Sequence, residues 1–315
     1  MQQWIDLLVS VVTVAFVGAA LRTALPLILA GLGESISERT GLMNIGLEAI
    51  MLAGAFFAFF ATFHSGSLLI GVVAGATAGM AVSLIHAFMS LQCRVDQTLS
   101  GLALNFSILG LTSFIFLVGM DSSGVALIPV LPRYAVPVLS KIPALGPVLF
   151  SQDLLFYFAL VAVPALWVLL YKTEWGLNME STGEAPHAAD SVGLSVFRIR
   201  YAAALINGLF GGLAGAYLTL GRLGLFIENV TGGRGYIALV VVIIGRRNPI
   251  GIVAAALLIG AAEALQFRVQ TFGIDVPANV FIMLPHIITI IVLFLARGRT
   301  RDPAALGRPF FRDSR

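Results

Sequence analysis

Apolar runs long enough to cross a lipid bilayer recur along nearly the whole chain, and no other feature restricts its fold as strongly. A helix needs about 20 consecutive apolar residues to cross roughly 30 Å of hydrocarbon. Such runs lie at 4–21, 45–63, 68–91, 98–119, 152–171, 199–220, 249–267 and 278–296, with a shorter one at 234–245. A further apolar piece at 23–33 is too short to cross and carries Pro26, Gly31 and Gly33, so it reads as a half-span or re-entrant segment. The 315 residues are 58% hydrophobic and only 11% charged, with a mean hydropathy of +0.96. A soluble domain carries about a quarter charged residues, so water would not hold this surface. The expected fold is an all-α polytopic membrane helix bundle with about nine to ten transmembrane segments.

The first run could imitate a signal peptide, but it has no basic flank and continues into further apolar segments, so it reads as a retained helix. Cys93 is the single cysteine, which excludes an intrachain disulfide. Basic residues in short flanking loops orient a membrane chain towards the cytoplasm. The tail after Ala296 holds Arg297, Arg299, Arg301, Arg308, Arg312 and Arg315 against Asp302 and Asp313, which places it inside. Counting backward, Arg246 and Arg247, the loop 172–198, Arg94 and the polar stretch 34–40 also fall inside, while 121–151, 221–233 and 268–277 fall outside. A half-span at 23–43 that completes a crossing puts the N-terminus inside and a true re-entrant loop leaves it outside; inside is the expectation. The net charge of +3 mostly records the tail, which suits anionic lipid and does not imply nucleic acid.

Two stretches share a weak pattern. Asn44-Ile45-Gly46 and Gly235-Tyr236-Ile237 each precede a pair of helices rich in small residues, as a twofold internal repeat would. Small residues such as Gly71, Gly75, Gly79, Gly208, Gly211, Gly212 and Gly215 let helices approach closely in lipid. Between two spans lies the polar segment 173–193. Proline suits the first helical position and glycine the position past the end, so Pro186 to Val192 reads as a two-turn helix closed by Gly193. Ala188 and Ala189 would give it a close-packing knob.

Four blocks in order carry a resemblance: Glu38-Arg39-Thr40-Gly41-Leu42-Met43-Asn44-Ile45-Gly46-Leu47-Glu48, then residues 97–105, then 183–193, then 233–251 with its Asn248-Pro249-Ile250-Gly251. The chain resembles the permease subunits of bacterial ABC importers of the ribose and branched-chain amino-acid type, most closely the nucleoside permeases. The resemblance implies a permease domain over 1–300, including a cytoplasmic coupling loop at 172–198, and a basic cytoplasmic tail at 301–315. It implies that Gly183, Glu184, Pro186, His187, Ala188, Ala189, Asp190 and Gly193 form the coupling helix that docks on an ATPase subunit. Glu180 departs from the family, which usually has a basic residue near that position.

The same resemblance implies four kinds of partner: an ABC ATPase subunit, a second permease that is identical or related, an extracytoplasmic substrate-binding protein, and membrane lipid. It places the chain in the bacterial inner membrane. No Gly-x-x-x-x-Gly-Lys-Ser/Thr loop occurs, so ATP and magnesium are expected on the partner subunit and no cofactor in this chain. His64, His86, His187 and His286 are scattered, and no metal-ligand spacing or catalytic pair is visible, so neither a metal site nor an enzyme is expected.

Polar side chains inside a span are costly and need a partner or a water-filled cavity. On that ground Asn44, Glu48, Asn105, Asn207, Glu263 and Gln266 are the candidates for a substrate path or for helix–helix hydrogen bonds. The expected function is nucleoside import driven by another subunit's ATP. The alternatives are a permease for a simple sugar or other small solute, and an ion-coupled secondary transporter using Glu48 or Glu263.

Overall fold

The structure is a computed structural model that describes residues 13–119, 127–143, 145–271, 283–296 and 302–311. The chain begins with α1 (Val14–Arg39), α2 (Leu47–Ser65), α3 (Leu68–Leu91) and α4 (Gln97–Gly119). A short hairpin of β1 (Tyr134–Ala135) and β2 (Ser151–Gln152) encloses the one-turn α5 (Leu145–Leu149). There follow α6 (Leu154–Lys172), α7 (Glu174–Glu184), α8 (Pro186–Ser191) and α9 (Val196–Ala216), the last continuing as π-helix to Leu223. The chain then forms α10 (Arg234–Ile244), α11 (Pro249–Thr271) and α12 (Leu284–Ala296). Seven described helices are long and apolar enough to cross a membrane: α1, α2, α3, α4, α6, α9 with its extension, and α11. The helix α10 is too short to cross, as its sequence suggests, and the runs expected at 4–21 and 278–296 lie partly outside the described residues.

The expected break at 23–33 does not occur. Thr13 caps α1 by accepting a hydrogen bond from the Phe16 amide at 3.3 Å, and the helix runs unbroken through Pro26 to Arg39. Proline removes one amide and normally kinks a helix. Here every residue from Thr23 to Glu38 is buried, so protein encloses the helix through and beyond the proline. Gly31 and Gly33 serve close packing: a Cβ on Gly33 would come within 3.1 Å of the Asn207 Cα in α9. The stretch 34–40, expected in a cytoplasmic loop, is mostly the last turns of α1, with Glu34 and Glu38 enclosed.

Helices α1, α2 and α9 form the buried centre, while α3, α4, α6 and α11 turn apolar faces such as Leu69, Phe106, Leu117 and Val161 outward, as lipid requires. Packing is reciprocal between the two halves. Helix α1 packs on α10 and α11, and α9 packs on α2 and α3, while α2 meets α3 and α10 meets α11. The end of α1 lies beside the start of α9, because Arg200 Nε donates to the Thr40 carbonyl at 2.9 Å, so the two run antiparallel. The units α1–α2–α3 and α9–α10–α11 thus pack reciprocally and in opposite senses, as the halves of an inverted repeat would, an arrangement common in transporters. Glycines seal it: a Cβ on Gly208 would sit 2.5 Å from the Met80 Cα, and one on Gly75 2.7 Å from the Gly54 carbonyl oxygen.

Candidate functional site

Where the repeats meet, the chain is irregular inside the bundle. The loops 40–46 and 224–233 lead into α2 and α10, whose first turns touch. Glu48, in the first turn of α2, accepts from the Thr231 hydroxyl at 2.5 Å, the Gly233 amide at 2.8 Å and the Gly235 amide at 2.6 Å. A carboxylate there satisfies orphan amides at a helix start and complements its dipole. Asn105 of α4 closes the other side. Its Oδ1 accepts from the Ala49 amide at 2.9 Å, and its Nδ2 donates to the Ile45 carbonyl at 3.1 Å and the Tyr236 hydroxyl at 2.7 Å. Glu263 of α11 pairs with Arg234 at the start of α10.

A second polar group lies nearer the end of α1. Glu34 is wholly buried and accepts from the Asn44 amide at 2.9 Å and from Asn207 Nδ2 at 2.6 Å. The Asn44 side-chain amide and Asn207 Oδ1 have no protein partner. Five residues of helix separate Glu34 from Arg39, placing this group about 7 Å inside the helix end at 1.5 Å per residue. The structure therefore gathers Asn44, Asn207, Glu48 and Asn105 around the repeat junction, with Glu263 reaching it through Arg234. Most of their hydrogen-bonding capacity is spent joining helices.

The end of the bundle where α1 finishes carries a second assembly. Arg247 Nε donates to Glu38 at 2.5 Å and its Nη2 to Asp302 at 2.8 Å. Arg39 donates to the Arg247 carbonyl at 3.2 Å and to the Tyr171 hydroxyl, and lies over the Tyr171 ring. Helix α7 lies across this end. The hydroxyl of Thr173 caps it from the Gly176 amide at 3.4 Å, and Gly183 has no room for a side chain because the Arg39 carbonyl faces it. Helix α8 follows with Pro186 at its start, and Gly193 closes it at φ +92°, a conformation glycine adopts freely. Glu184, His187 and Ala188 are exposed, whereas Ala189 is 3% exposed and packs on Val196 and Phe310. The inward side of α8 thus belongs to Ala189 and the knob to Ala188. A cleft of about 510 Å³ opens between α8 and residues 304–310.

Sequence reasoning missed Glu34, Glu38, Arg247 and all of α7. The signal for the acids was their four-residue spacing, which places both on one helical face next to an apolar run. Among the described residues no group of three or more His, Cys, Asp or Glu could hold a metal. His86 is buried and has its own partners, donating from Nε2 to the Met43 carbonyl at 3.0 Å with Nδ1 against Ser100 Oγ at 3.2 Å.

Fold and site together define the class, a multi-pass membrane permease. The chain belongs to the family described as branched-chain amino acid transport system / permease component, which matches residues 16–293. It is 37% identical over 312 residues to the guanosine ABC transporter permease NupQ of Bacillus subtilis, covering 95% of this chain and 97% of that one. It is 35% identical to the nucleoside ABC transporter permease NupC of Lactococcus lactis subsp. cremoris, covering 90% and 92%. A chain assigned as a glucose ABC transporter permease in Haloferax volcanii is 36% identical, covering 83% and 79%. The fold is shared with a solved ABC transporter, assigned to the metal-chelate type and in an inward-facing conformation, at 16% identity and a TM-score of 0.51, covering 89% of this chain and 85% of that one.

Proposed function

We propose that this ABC permease imports nucleosides across the bacterial inner membrane, driven by a separate ATPase subunit that docks on α8. The observation that carries the reading is the exposed face of α8 at His187 and Ala188, with the exposed Glu184 at the end of α7 beside it, held at the end of the bundle where α1 and α10 finish. That end is then cytoplasmic, in agreement with its arginines. ATP and magnesium reside on the partner, and a second permease, identical or related, completes the path. A binding protein delivers substrate to the opposite end. Nucleosides are favoured over sugars because two of the three relatives above carry guanosine or nucleoside in their names, including the one matched over the greatest length.

Glu48 and Glu263 support the ATP-driven reading over an ion-coupled one. Both are committed to fixed donors, Glu48 to three at a helix start and Glu263 to Arg234, which leaves neither free to carry a coupled ion. The test is uptake of labelled guanosine by the complex reconstituted with its ATPase and binding protein, with unlabelled nucleosides and glucose as competitors. Competition by nucleosides alone is expected. Competition by glucose alone moves the assignment to sugars, and uptake without the ATPase removes the ABC mechanism.

A further inference from the structure

The segment 302–311 was expected to be part of a basic tail, yet it is fastened to four separate parts of the molecule. Asp302 accepts from Arg247, just after α10, at 2.8 Å. The Ala305 amide donates to the Gly183 carbonyl of α7 at 2.9 Å, and the Gly307 amide donates to the Gly41 carbonyl, just after α1, at 3.1 Å. The Arg308 carbonyl accepts from Arg200 Nη1 of α9 at 3.4 Å. Phe310 ends the series. It is 4% exposed, lies in one apolar cluster with Ala189 of α8 and Val196 of α9, and its ring sits 5.0 Å from His187 and 5.7 Å from Phe197.

The local sequence is built for this path. Pro303 and Gly307 bracket a turn closed by the Leu306 amide on the Pro303 carbonyl at 3.0 Å. Gly307 has φ +73° and no neighbour within 4 Å of a Cβ, so glycine is needed there for backbone shape and not for space. A solvated tail needs neither device. Helix α8 has only six residues and lies between Ala185, non-helical at φ −144° and ψ 74°, and the left-handed Gly193. Such a helix is free to swing unless something outside its own loop holds it. Phe310 seats against Ala189 beside Val196 of α9, and of the two it is the one that reaches α8 from the C-terminal segment.

We infer that residues 302–311 are a strap that transmits force from α8 to the ends of α1, α9 and α10, with Phe310 as its anchor. This rests on α8 being the ATPase-docking element. A push on α8 moves Phe310, and the strap carries that displacement through Gly307 to Gly41, through Arg308 to Arg200 and through Asp302 to Arg247. Contiguous chains of packed side chains and hydrogen bonds are the usual carriers of such coupling. Gly41 and Arg200 sit where the two antiparallel helices of the inverted repeat meet, so the strap pulls on the pair whose relative tilt changes in alternating access.

The experiment uses the full complex in proteoliposomes and reads nucleoside moved per ATP hydrolysed, together with ATPase retention on the purified permease. With Phe310→Ala the ATPase stays bound and hydrolyses ATP, while the ratio falls about five- to thirtyfold. Phe310→Leu keeps an apolar anchor and restores most of the ratio. Asp302→Ala, which removes the acceptor at a largely exposed side chain that does not hold up the fold, lowers the ratio at least about twofold and decides the matter should Phe310→Ala fail to assemble. An unchanged ratio in the assembled variants, or uptake and hydrolysis falling in parallel, overturns the strap. Failure of the docking reading looks different: Ala188→Trp would then retain the ATPase and transport normally, whatever the strap variants do.

Discussion

Glu34 and Asn207, on the two antiparallel helices of the inverted repeat, are joined by a 2.6 Å hydrogen bond with both residues fully buried. The contact ties α1 to α9 at the point where Gly33 lets their backbones meet. Glu34→Leu leaves the Asn207 Nδ2 and the Asn44 amide without an acceptor. Each buried unpaired group costs about 1–3 kcal/mol, so a loss of about 2–6 kcal/mol is expected in thermal melts of the detergent-solubilised chain. Glu34→Gln costs less, because Asn207 Oδ1 is unpartnered and a flipped Asn207 can accept from the new amide. Equal losses for Leu and Gln would mean that shape, not hydrogen bonding, holds the junction.

The glycine seam between α3 and α9 gives an internal contrast. Gly208→Ala drives a methyl into the α3 backbone at Met80 and should cost about 1–3 kcal/mol through overpacking. Gly110→Ala in α4 meets nothing within 4 Å and should be neutral or stabilise by up to about 1 kcal/mol, as alanine does within a helix. Melting temperatures of the two variants in one detergent test the pair, and a Gly208→Ala protein as stable as Gly110→Ala would deny the close approach.

Much of this architecture is written in hydrophobic length. The boundaries of α2, α3, α4 and α6 fall within two residues of apolar runs, because lipid imposes a run of fixed length on any helix that crosses it. The path of α1 was hidden for a physical reason: Pro26, Gly31 and Gly33 are breaking signals in a solvated helix and packing devices in an enclosed one. Helix α7 was hidden because its residues are polar and its stability comes from Thr173 at its start and from lying against α1 and α6. At the candidate site, Pro186 and Gly193 announced α8 by rules of local backbone. Which of its alanines faces outward depended on Phe310, more than a hundred residues away.

The ionic assembly at the end of α1 should respond unequally to its two acids. Arg247→Ala strands Glu38, whose side chain is 4% exposed, and breaking a buried pair from one side costs about 3–5 kcal/mol. Asp302→Ala removes a partner whose side chain is 64% exposed, and exposed pairs contribute about 0–1 kcal/mol. Denaturation of the two variants should therefore separate by several degrees. A similar loss in both would place the weight of the cluster on Asp302.

The face of α8 separates docking from folding. Ala188 is exposed and Ala189 buried, so Ala188→Trp should leave the melting curve unchanged while abolishing co-purification of the ATPase. Ala189→Trp must displace Phe310 and should lower stability by about 1–3 kcal/mol through overpacking. If Ala188→Trp retained the ATPase at wild-type level, the partner would have to engage another surface at this end.

Glu48 distinguishes the source of energy. An ion-coupled carrier would need this carboxylate to gain and lose a cation during each cycle, yet it receives hydrogen bonds from Thr231, Gly233 and Gly235 at the start of α10. In Glu48→Gln an amide nitrogen must face an amide donor, because all three neighbours donate, so α10 loses part of its cap and the protein should melt lower by about 1–3 kcal/mol. The protein that remains folded should still take up nucleoside only when the ATPase and ATP are supplied. In proteoliposomes with ATP held constant, a protonophore should leave the initial rate of wild-type uptake unaltered. Uptake that follows the imposed ion gradient and vanishes in Glu48→Gln would make Glu48 the coupling group and the cap its resting state.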